Sequence, residues 1–319
     1  MKRAWLFLVP ILALVLAQPA AAADKLTVLL DWFVNPDHAP LVIAKEGGYF
    51  AKQGLSVDLV APADASAPPR LVAAGKGDVA VTYEPDLMLQ LKADLPLVRF
   101  GTLVDSPLNC LIALADGPIK SLADLKGRKV GYSVPGFQEA YLDEMLASVG
   151  LSIKDVTTIS LNFNLVSALL AGQVDAIVGG FRNFETFELE VHGKPGTCFL
   201  PEEHGVPSYD ELVYVTRDAL RNDPRLPRFL TALKQATAFI AAHPDKALSM
   251  FLKKYPDLDD ALNRRAFAAT VPRFAKDPGA LDAARYQAFA EFMKAKGLIA
   301  AVPPLDSYAV QLKAVSASK

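Results

Sequence analysis

The chain has 319 residues, with 33 Lys and Arg, 35 Asp and Glu and a formal net charge of −2. Neither sign of charge forms a long block, which argues against a nucleic-acid-binding surface and against an acidic tail. The length suits two lobes of ordinary domain size, and the remaining partner class is a small molecule or another protein.

The chain begins with a pattern typical of a secretory signal peptide. Two basic residues precede an apolar run over 4–17, which contains Pro10, and a stretch of small residues follows. A membrane-spanning helix needs about 20 apolar residues, and this run is shorter. It leads into an Ala-x-Ala cleavage pattern. We predict cleavage near Ala23, a mature chain that begins close to Asp24, and a location in the periplasm. An uncleaved membrane anchor is the alternative.

From residue 25 onward, short apolar runs alternate with helical periodicity. The predicted strands are 26–31, 55–60, 79–83 and 97–103. The predicted helices between them are 39–52, 67–74 and 85–92. Such alternation is typical of a parallel sheet covered on both faces.

A second α/β series follows residue 116. Its predicted helices are 121–125, 138–149, 165–171 and 183–190, and its predicted strands are 129–132, 157–161 and 175–178. Both series contain the pattern Ala-Gly-x-x-Asp-x-x-Val, which starts at Ala74 and Ala171 and is followed by Tyr83 and Phe181. The common helix-Gly-turn-strand arrangement of α/β proteins explains much of this spacing. The two aromatic residues are predicted to lie where a loop opens into a cleft.

Predicted strands at 109–114 and 211–216 join the two series. The remaining chain is predicted to be helical over 224–242, 244–253, 258–270 and 280–297. We predict an α/β fold in which lobe 1 comprises 24–110 and 212–319, and lobe 2 comprises 111–211. Two crossing strands join the lobes, and the C-terminal helices pack on lobe 1. Such a hinge permits closure around a ligand.

The chain has two cysteines, Cys110 and Cys198. They can form one disulfide in an oxidising compartment, or they can remain as two separate buried thiols. The sequence leaves both alternatives open.

Several motifs resemble those of solute-binding proteins that deliver thiamine pyrimidine precursors to ABC-type importers. The most discriminating is Leu-Asp-Trp-Phe-x-Asn-Pro-Asp-His-x-Pro at 30–40. The stretch Ala-Lys-Glu-x-Gly-Tyr-Phe at 44–50 also resembles binders of sulfonates, nitrate and bicarbonate. Further matches lie at 83–85, 121–131, 135–137 and 179–185. The resemblance implies a monomeric type II periplasmic binding protein that captures an aminopyrimidine for an ABC permease, without catalysis and without a cofactor.

Two other classes of protein share this fold. One is an enzyme family that builds the thiamine pyrimidine from pyridoxal phosphate and histidine and carries a cysteine-rich segment. The two distant cysteines and the export signal of this chain argue against that class. The other comprises binders of riboflavin, sulfonate or nitrate. An anion site needs cations in the cleft loops, where Arg182 alone is found.

A 4-aminopyrimidine needs aromatic walls and a few well-placed polar groups. The candidate walls are Trp32, Tyr83, Phe137 and Phe181, each predicted in a loop just after a strand. For each of them taken alone, core packing is the alternative. Trp32 is the strongest candidate because it directly follows the first strand and its loop is rich in polar residues.

The polar candidates are Asn35, His38, Glu84, Asn183 and Glu185. Asn35 can donate and accept across a ring edge, or it can shape the turn before a proline. His38 is predicted to be a neutral hydrogen-bonding group at the cleft rim, near a helix start that Asp37 caps. Glu185 can accept a hydrogen bond from the ring amine, whereas a carboxylate at the position of Glu84 is favourable at a helix start in any protein.

Residues 133–137 join a predicted strand to a helix. Backbone N–H groups there, including those near Pro135 and Gly136, are predicted to bind an acceptor oxygen or an anion. The segment has no P-loop lysine, and the chain has neither a nucleophile-elbow motif nor a zinc-protease motif. The four scattered histidines do not predict a metal site.

Overall fold

The computed structural model describes residues 22–312. The strands are β1 (Asp24–Leu29), β2 (Leu55–Val60), β3 (Val79–Thr82), β4 (Leu97–Val104), β5 (Asn109–Leu114), β6 (Lys129–Tyr132), β7 (Thr157–Ser160), β8 (Ala176–Phe181), β9 (Gly196–Phe199) and β10 (Leu212–Arg217). The predicted signal peptide, and with it the question of cleavage, lies almost wholly outside these residues. Within 22–312, no helix is both long and apolar enough to cross a membrane.

Twelve α-helices are described between or after these strands. They are α1 (Ala39–Glu46), α2 (Tyr49–Lys52), α3 (Pro68–Ala73), α4 (Glu84–Lys92), α5 (Phe137–Ala147), α6 (Leu165–Leu170), α7 (Glu185–Val191), α8 (Arg225–Ala242), α9 (Pro244–Lys254), α10 (Ala261–Thr270), α11 (Ala283–Ala295) and α12 (Leu305–Tyr308). Short 3-10 helices lie at Pro36–His38, Leu122–Leu125, Ile153–Asp155, Pro201–Glu203, Asp218–Leu220, Pro256–Leu258 and Val271–Arg273.

The strands form two five-stranded sheets of the same design. The orders are β2-β1-β3-β10-β4 and β7-β6-β8-β5-β9. In the first sheet β1 is parallel to β2 and β3, and β10 is antiparallel to β3 and β4. In the second sheet β6 is parallel to β7 and β8, and β5 is antiparallel to β8 and β9. Each sheet thus contains the parallel strands that the alternation predicts, together with one of the two predicted crossing strands, β10 or β5, which runs in the opposite direction.

The internal repeat in the sequence corresponds to equivalent structure in the two sheets. Gly75 and Gly172 both have positive φ, at 75° and 68°, directly after α3 and α6. The carboxylate of Asp78 accepts a hydrogen bond from the backbone N of Thr27 at 2.9 Å, and that of Asp175 accepts from Lys129 at 2.8 Å. Each aspartate thus ties the start of the central strand, β3 or β8, to the neighbouring strand, β1 or β6.

The predicted helix over 39–52 is two helices. Gly47 ends α1, and Gly48 adopts φ 71°, a conformation that disfavours residues with a Cβ atom. The first helix, α1, is buried along most of its length and packs against α8 and α9. This packing places the loop that precedes α1 at a fixed position beside the first sheet.

Two segments connect the sheets, and a buried carboxylate joins them. Residues 105–108 lead from β4 to β5, and residues 200–211 lead from β9 to β10. Glu211 accepts hydrogen bonds from the backbone N of Leu108 at 2.6 Å and of Asn109 at 3.0 Å. The division into lobe 1 (24–110 and 212–319) and lobe 2 (111–211) stays a prediction, and β5, which begins at Asn109, belongs to the second sheet.

The cysteines form a disulfide. Cys110 on β5 and Cys198 on β9 have Cα atoms 5.4 Å apart and lie on adjacent antiparallel strands. Strand β9 has no counterpart in the predicted elements, so the sequence could not show that the two cysteines lie close together.

The C-terminal helices pack against elements beside both sheets. Helix α8 packs on α1 and α2, and α9 packs on α1, as expected for helices that return to the first sheet. Helix α10 contacts the 3-10 helix Pro36–His38 and also α7, which follows the second sheet. The last residue of α10, Thr270, is thereby brought next to residues from both sheets.

Candidate binding cavity between the sheets

A narrow cavity lies between loops that follow strands of both sheets, and its empty space of about 350 Å³ includes open solvent at the mouth. Its lining residues are Asp31, Trp32, Asn35, Asp37, Tyr83, Gln138, Gly179, Phe181, Phe184 and Glu185. In α/β sheets, ligands bind in crevices outside the carboxyl ends of the strands. The cavity occupies this position with respect to β1, β3 and β8.

Aromatic side chains from both sheets form the apolar part of the lining. Trp32 is half-buried and packs edge-to-face on Phe163 with ring centroids 4.6 Å apart. Tyr83 and Phe181, the aromatic residues of the internal repeat, both line the cavity with centroids 6.4 Å apart. Phe137 is fully buried and packs behind Tyr83 at 5.2 Å. Its position corresponds to the core-packing alternative.

A buried hydrogen-bond chain holds Asp31 and Tyr83 in the cavity floor. The Nε2 of His38 lies 2.9 Å from Asp31 Oδ1, and the hydroxyl of Tyr83 donates to Asp31 Oδ2 at 3.1 Å. The Nδ1 of His38 accepts from the backbone N of Asn35, so Nε2 carries the proton that Asp31 accepts. His38 is fully buried, and its predicted place at the cleft rim was wrong. Its contacts orient Asp31.

Asn35 both lines the cavity and shapes the turn. Its Oδ1 accepts a hydrogen bond from the backbone N of Asp37 at 2.8 Å, and its Nδ2 donates to the carbonyl of Phe33 at 3.3 Å. Asn35 is therefore the cap of the 3-10 helix at 36–38, a role predicted for Asp37. Asn35 therefore fulfils both predicted positions: it shapes the turn before Pro36, and it also lines the cavity.

The backbone N–H groups before α5 are occupied by side chains. Gln138 Oε1 accepts from the backbone N of Ser133 at 2.8 Å and of Val134 at 3.0 Å. Glu139 Oε2 accepts from the backbone N of Gly136 at 3.0 Å. These three N–H groups are not free for an anion, which argues against the predicted anion site.

Gln138 instead brings an amide to the cavity. Gly179 has φ 92°, and a Cβ atom at this position would lie 2.2 Å from Gln138 Nε2. A glycine on β8 thus permits the close approach of this amide, whose oxygen is held by the backbone of the preceding loop.

Glu185 is the first residue of α7 and lines the cavity from the second sheet. Its Oε2 accepts a hydrogen bond from the backbone N of Phe181 at 2.7 Å, which leaves Oε1 for another donor. Burial raises the pKa of this carboxyl to about 8, against the opposing effect of the Phe181 N–H. The prediction that Glu185 lies in the first turn of a helix was confirmed.

Three other predicted residues lie away from the cavity lining. Glu84 is fully buried and accepts a hydrogen bond from the backbone N of Asp210 at 2.7 Å. Pro135 and Gly136 are exposed and line a separate groove beside α4.

Asn183 is buried behind the cavity. Its Nδ2 donates to Asp37 Oδ1 and to Thr270 Oγ1, both at 2.7 Å. It therefore acts on the cavity through Asp37.

The lining is acidic. Of the described residues that form it, three carry carboxyl groups and none is Lys, Arg or His. Arg182, the cation nearest in sequence, is paired with Glu202 at 2.5 Å and donates to the carbonyl of Asn109 at 2.7 Å. Such a lining disfavours an anionic ligand and favours hydrogen-bond donors.

Sequence reasoning missed five of the lining residues, which are Asp31, Asp37, Gln138, Gly179 and Phe184. Two of them, Asp31 and Asp37, lie inside the motif at 30–40, and their acidic character was the available signal. Gln138 and Gly179 face each other only through the fold. Within residues 22–312, no group of three or more His, Cys, Asp or Glu side chains could hold a metal ion.

The chain is similar in sequence to a known protein family and to several named relatives. The sequence model described as "NMT1/THI5 like" matches residues 35–247, about two thirds of the chain. A protein of Haemophilus influenzae named for thiamine biosynthesis is 47% identical over 95% of this chain and 97% of its own length. The formylaminopyrimidine-binding protein of Halalkalibacterium halodurans is 36% identical over 72% of this chain and 71% of its own length.

More distant relatives, 26–28% identical, are named 4-amino-5-hydroxymethyl-2-methylpyrimidine phosphate synthase. Among solved structures, the alkanesulfonate-binding protein of Xanthomonas axonopodis pv. citri matches with a TM-score of 0.71 and 17% identity. That match covers 91% of this chain and 100% of the other. The chain has the type II periplasmic binding protein fold.

Proposed function

The chain belongs to the NMT1/THI5-like family, and on that premise we propose that it is the periplasmic ligand-capturing component of an ABC importer for a thiamine pyrimidine precursor. The ligand is an unphosphorylated 4-aminopyrimidine with a formylaminomethyl or hydroxymethyl group. The Halalkalibacterium halodurans relative is named for binding such a compound.

The observation that carries the proposal is the chemistry of the cavity lining. Trp32, Tyr83 and Phe181 offer flat apolar surfaces for a heteroaromatic ring, and Glu185 offers an acceptor for its amine. A sulfonate or nitrate would face carboxyl groups without a cation among the described lining residues. The acidic lining therefore favours the aminopyrimidine over the anionic ligands known for this fold.

The rival function is synthesis of the pyrimidine, the reaction named for the more distant relatives. A pyridoxal adduct requires a lysine in the site, and the described residues that line the cavity include none. The higher identity to a relative named as a binding protein also favours binding.

The first experiment is native mass spectrometry of the protein as purified, followed by isothermal titration. The titrants are 4-amino-5-hydroxymethyl-2-methylpyrimidine, formylaminopyrimidine, riboflavin and an aliphatic sulfonate. We expect saturable binding of the aminopyrimidines alone. Binding of riboflavin or the sulfonate in their place would contradict the proposal, and so would absorbance of a bound pyridoxal aldimine.

The variant Glu185→Gln tests the proposed contact to the ring amine. Phe181 N–H holds one oxygen of the side chain, so the amide nitrogen of the variant replaces Oε1 and faces the ligand amine, donor against donor. We expect affinity for the aminopyrimidine to fall more than tenfold (~1.4 kcal/mol), with little change for the 4-oxo analogue.

The pH dependence of binding provides a second measure for the same variant. Because the pKa of Glu185 is about 8, a ligand that needs the ionised carboxylate binds more tightly as pH rises from 7 to 8.5. The variant loses this dependence. Glu190→Gln, further along α7 and exposed, is the control. Equal affinity of wild type and Glu185→Gln for the amine would remove Glu185 from the site.

A further inference from the structure

We propose that Asp37 is a second ligand-recognising carboxylate, which accepts a hydrogen bond from a donor of the bound heterocycle that Glu185 does not contact. This inference rests on the proposed function and deepens it, because it requires a ligand with donor groups at two points. A helix-capping role does not account for Asp37, since Asn35 is the cap.

The two oxygens of Asp37 have different surroundings. Oδ1 accepts hydrogen bonds from Asn183 Nδ2 at 2.7 Å and Thr270 Oγ1 at 2.8 Å. Oδ2 is buried and has no hydrogen-bond partner among residues 22–312, although Asp37 lines the cavity and is only 2% exposed. Buried carboxylate oxygens are nearly always hydrogen-bonded in native proteins. Because Asp37 lines the cavity, we infer that a ligand donor reaches Oδ2 from the cavity side.

Trp32, which also lines the cavity, carries a complementary atom. Its indole Nε1 is buried and also lacks a partner within the described part of the chain. Indole N–H groups donate only, whereas Asp37 Oδ2 accepts. A ligand that satisfies both has a ring-nitrogen acceptor and an exocyclic donor on one scaffold. An amine-bearing diazine has both, and a sulfonate has acceptors alone.

The charges around Asp37 favour a donor over an anion. His38 follows it in the 3-10 helix, Asp31 lies across the cavity floor, and Glu185 faces it from α7. Burial raises the pKa of Asp37 to about 6, with Thr270 and Asn183 opposing that rise. At neutral pH the carboxyl is thus ionised and available to accept a hydrogen bond.

The same carboxylate joins three parts of the molecule. Asp37 follows β1 of the first sheet, Asn183 follows β8 of the second, and Thr270 ends α10. A ligand bound to Oδ2 therefore contacts the group that holds these parts together through Oδ1. Asp37 would thus both recognise the ligand and join the two halves of the molecule beside the cavity.

The test is Asp37→Asn, measured by isothermal titration with 4-amino-5-hydroxymethyl-2-methylpyrimidine. Asn183 and Thr270 both place donors at Oδ1, so they retain the amide oxygen there, and the amide nitrogen replaces Oδ2. We expect affinity to fall at least tenfold while the ligand-free protein stays folded, as shown by its thermal unfolding. The control is Asp86→Asn, because Asp86 is also buried, has a pKa raised to about 6 by burial, and lies outside the cavity lining. We expect its affinity to match wild type.

The double variant Asp37→Asn with Glu185→Gln distinguishes direct from indirect action. If the two carboxylates contact separate donors, the double variant binds more weakly than either single variant. A double variant no weaker than Glu185→Gln alone would overturn the direct role, as would wild-type affinity of Asp37→Asn. Both results leave the proposed function intact. A wild type that binds no aminopyrimidine would overturn the proposed function together with this inference.

Discussion

Single side chains in the cavity take their roles from neighbours that are distant in sequence. Trp32 follows β1 but packs on Phe163, which precedes α6 beside the second sheet. Edge-to-face packing of this kind fixes the plane of the indole. The orientation of Trp32 therefore depends on contact between the two halves of the molecule.

Trp32→Ala is expected to weaken binding of the aminopyrimidine without unfolding the protein. Loss of an aromatic stacking partner costs about 1–3 kcal/mol per base in single-stranded nucleic-acid complexes, roughly 5- to 150-fold in affinity. Isothermal titration and thermal unfolding measure the two effects. Phe239→Ala is the control, since Phe239 is a half-buried aromatic that packs on Tyr49 away from the cavity. Unchanged affinity in a folded Trp32→Ala protein would place this side chain outside the site.

At the level of elements, the second sheet depends on a strand pair that the sequence pattern did not reveal. Strand β9 is short and only half-buried, and its pairing with β5 carries the disulfide between Cys110 and Cys198. The disulfide closes a segment with a sequence separation of 88, which contains β6, β7, β8 and their helices. Closing so long a loop restricts the unfolded chain substantially.

Replacing both cysteines by serine is expected to lower the free energy of unfolding by about 2–4 kcal/mol. Urea unfolding of wild type and of Cys110→Ser with Cys198→Ser measures the difference. A reductant should lower the stability of wild type toward that of the variant and leave the variant unchanged. Equal stability of oxidised wild type and variant would contradict the prediction.

For the whole molecule, buried carboxyl groups dominate the electrostatics near neutral pH. Burial raises the pKa of Asp37 to about 6, of Glu211 to about 7, and of Glu84 and Glu185 to about 8. Between their ordinary values and these raised values, the folded protein binds more protons than the unfolded chain. Stability therefore falls as pH rises through this window.

The ligand-free protein is expected to be more stable at pH 5.5 than at pH 8.5. Carboxyl groups with lowered pKa, such as Asp124 and Asp155, titrate below this range and do not offset the effect. Thermal unfolding across the range measures it, and Glu185→Gln should show a smaller decrease because an amide does not titrate. A melting temperature that rises from pH 5.5 to 8.5 would contradict the assignment of these shifts.

Local pattern was sufficient for most elements of the fold. The predicted bounds of β2, β5 and β6 match the structure, because alternating or continuous apolar runs bounded by turns specify a buried strand locally. The sequence did not predict β9 or the direction of the two crossing strands. Pairing direction depends on where a connection enters the sheet, and a half-buried edge strand has little apolar signal.

The sequence by itself determined the fold class, the family resemblance and the positions of Trp32, Tyr83, Phe181 and Glu185 near a common loop edge. These follow from local periodicity and from motifs whose residues are close together in the chain. The tertiary structure decided which side chains face the cavity. Phe137 and His38 are buried away from its lining, while Asp37 lines it and has one oxygen without a partner among the described residues. Such orientations depend on partners like Thr270, which is distant in sequence and adjacent only after folding.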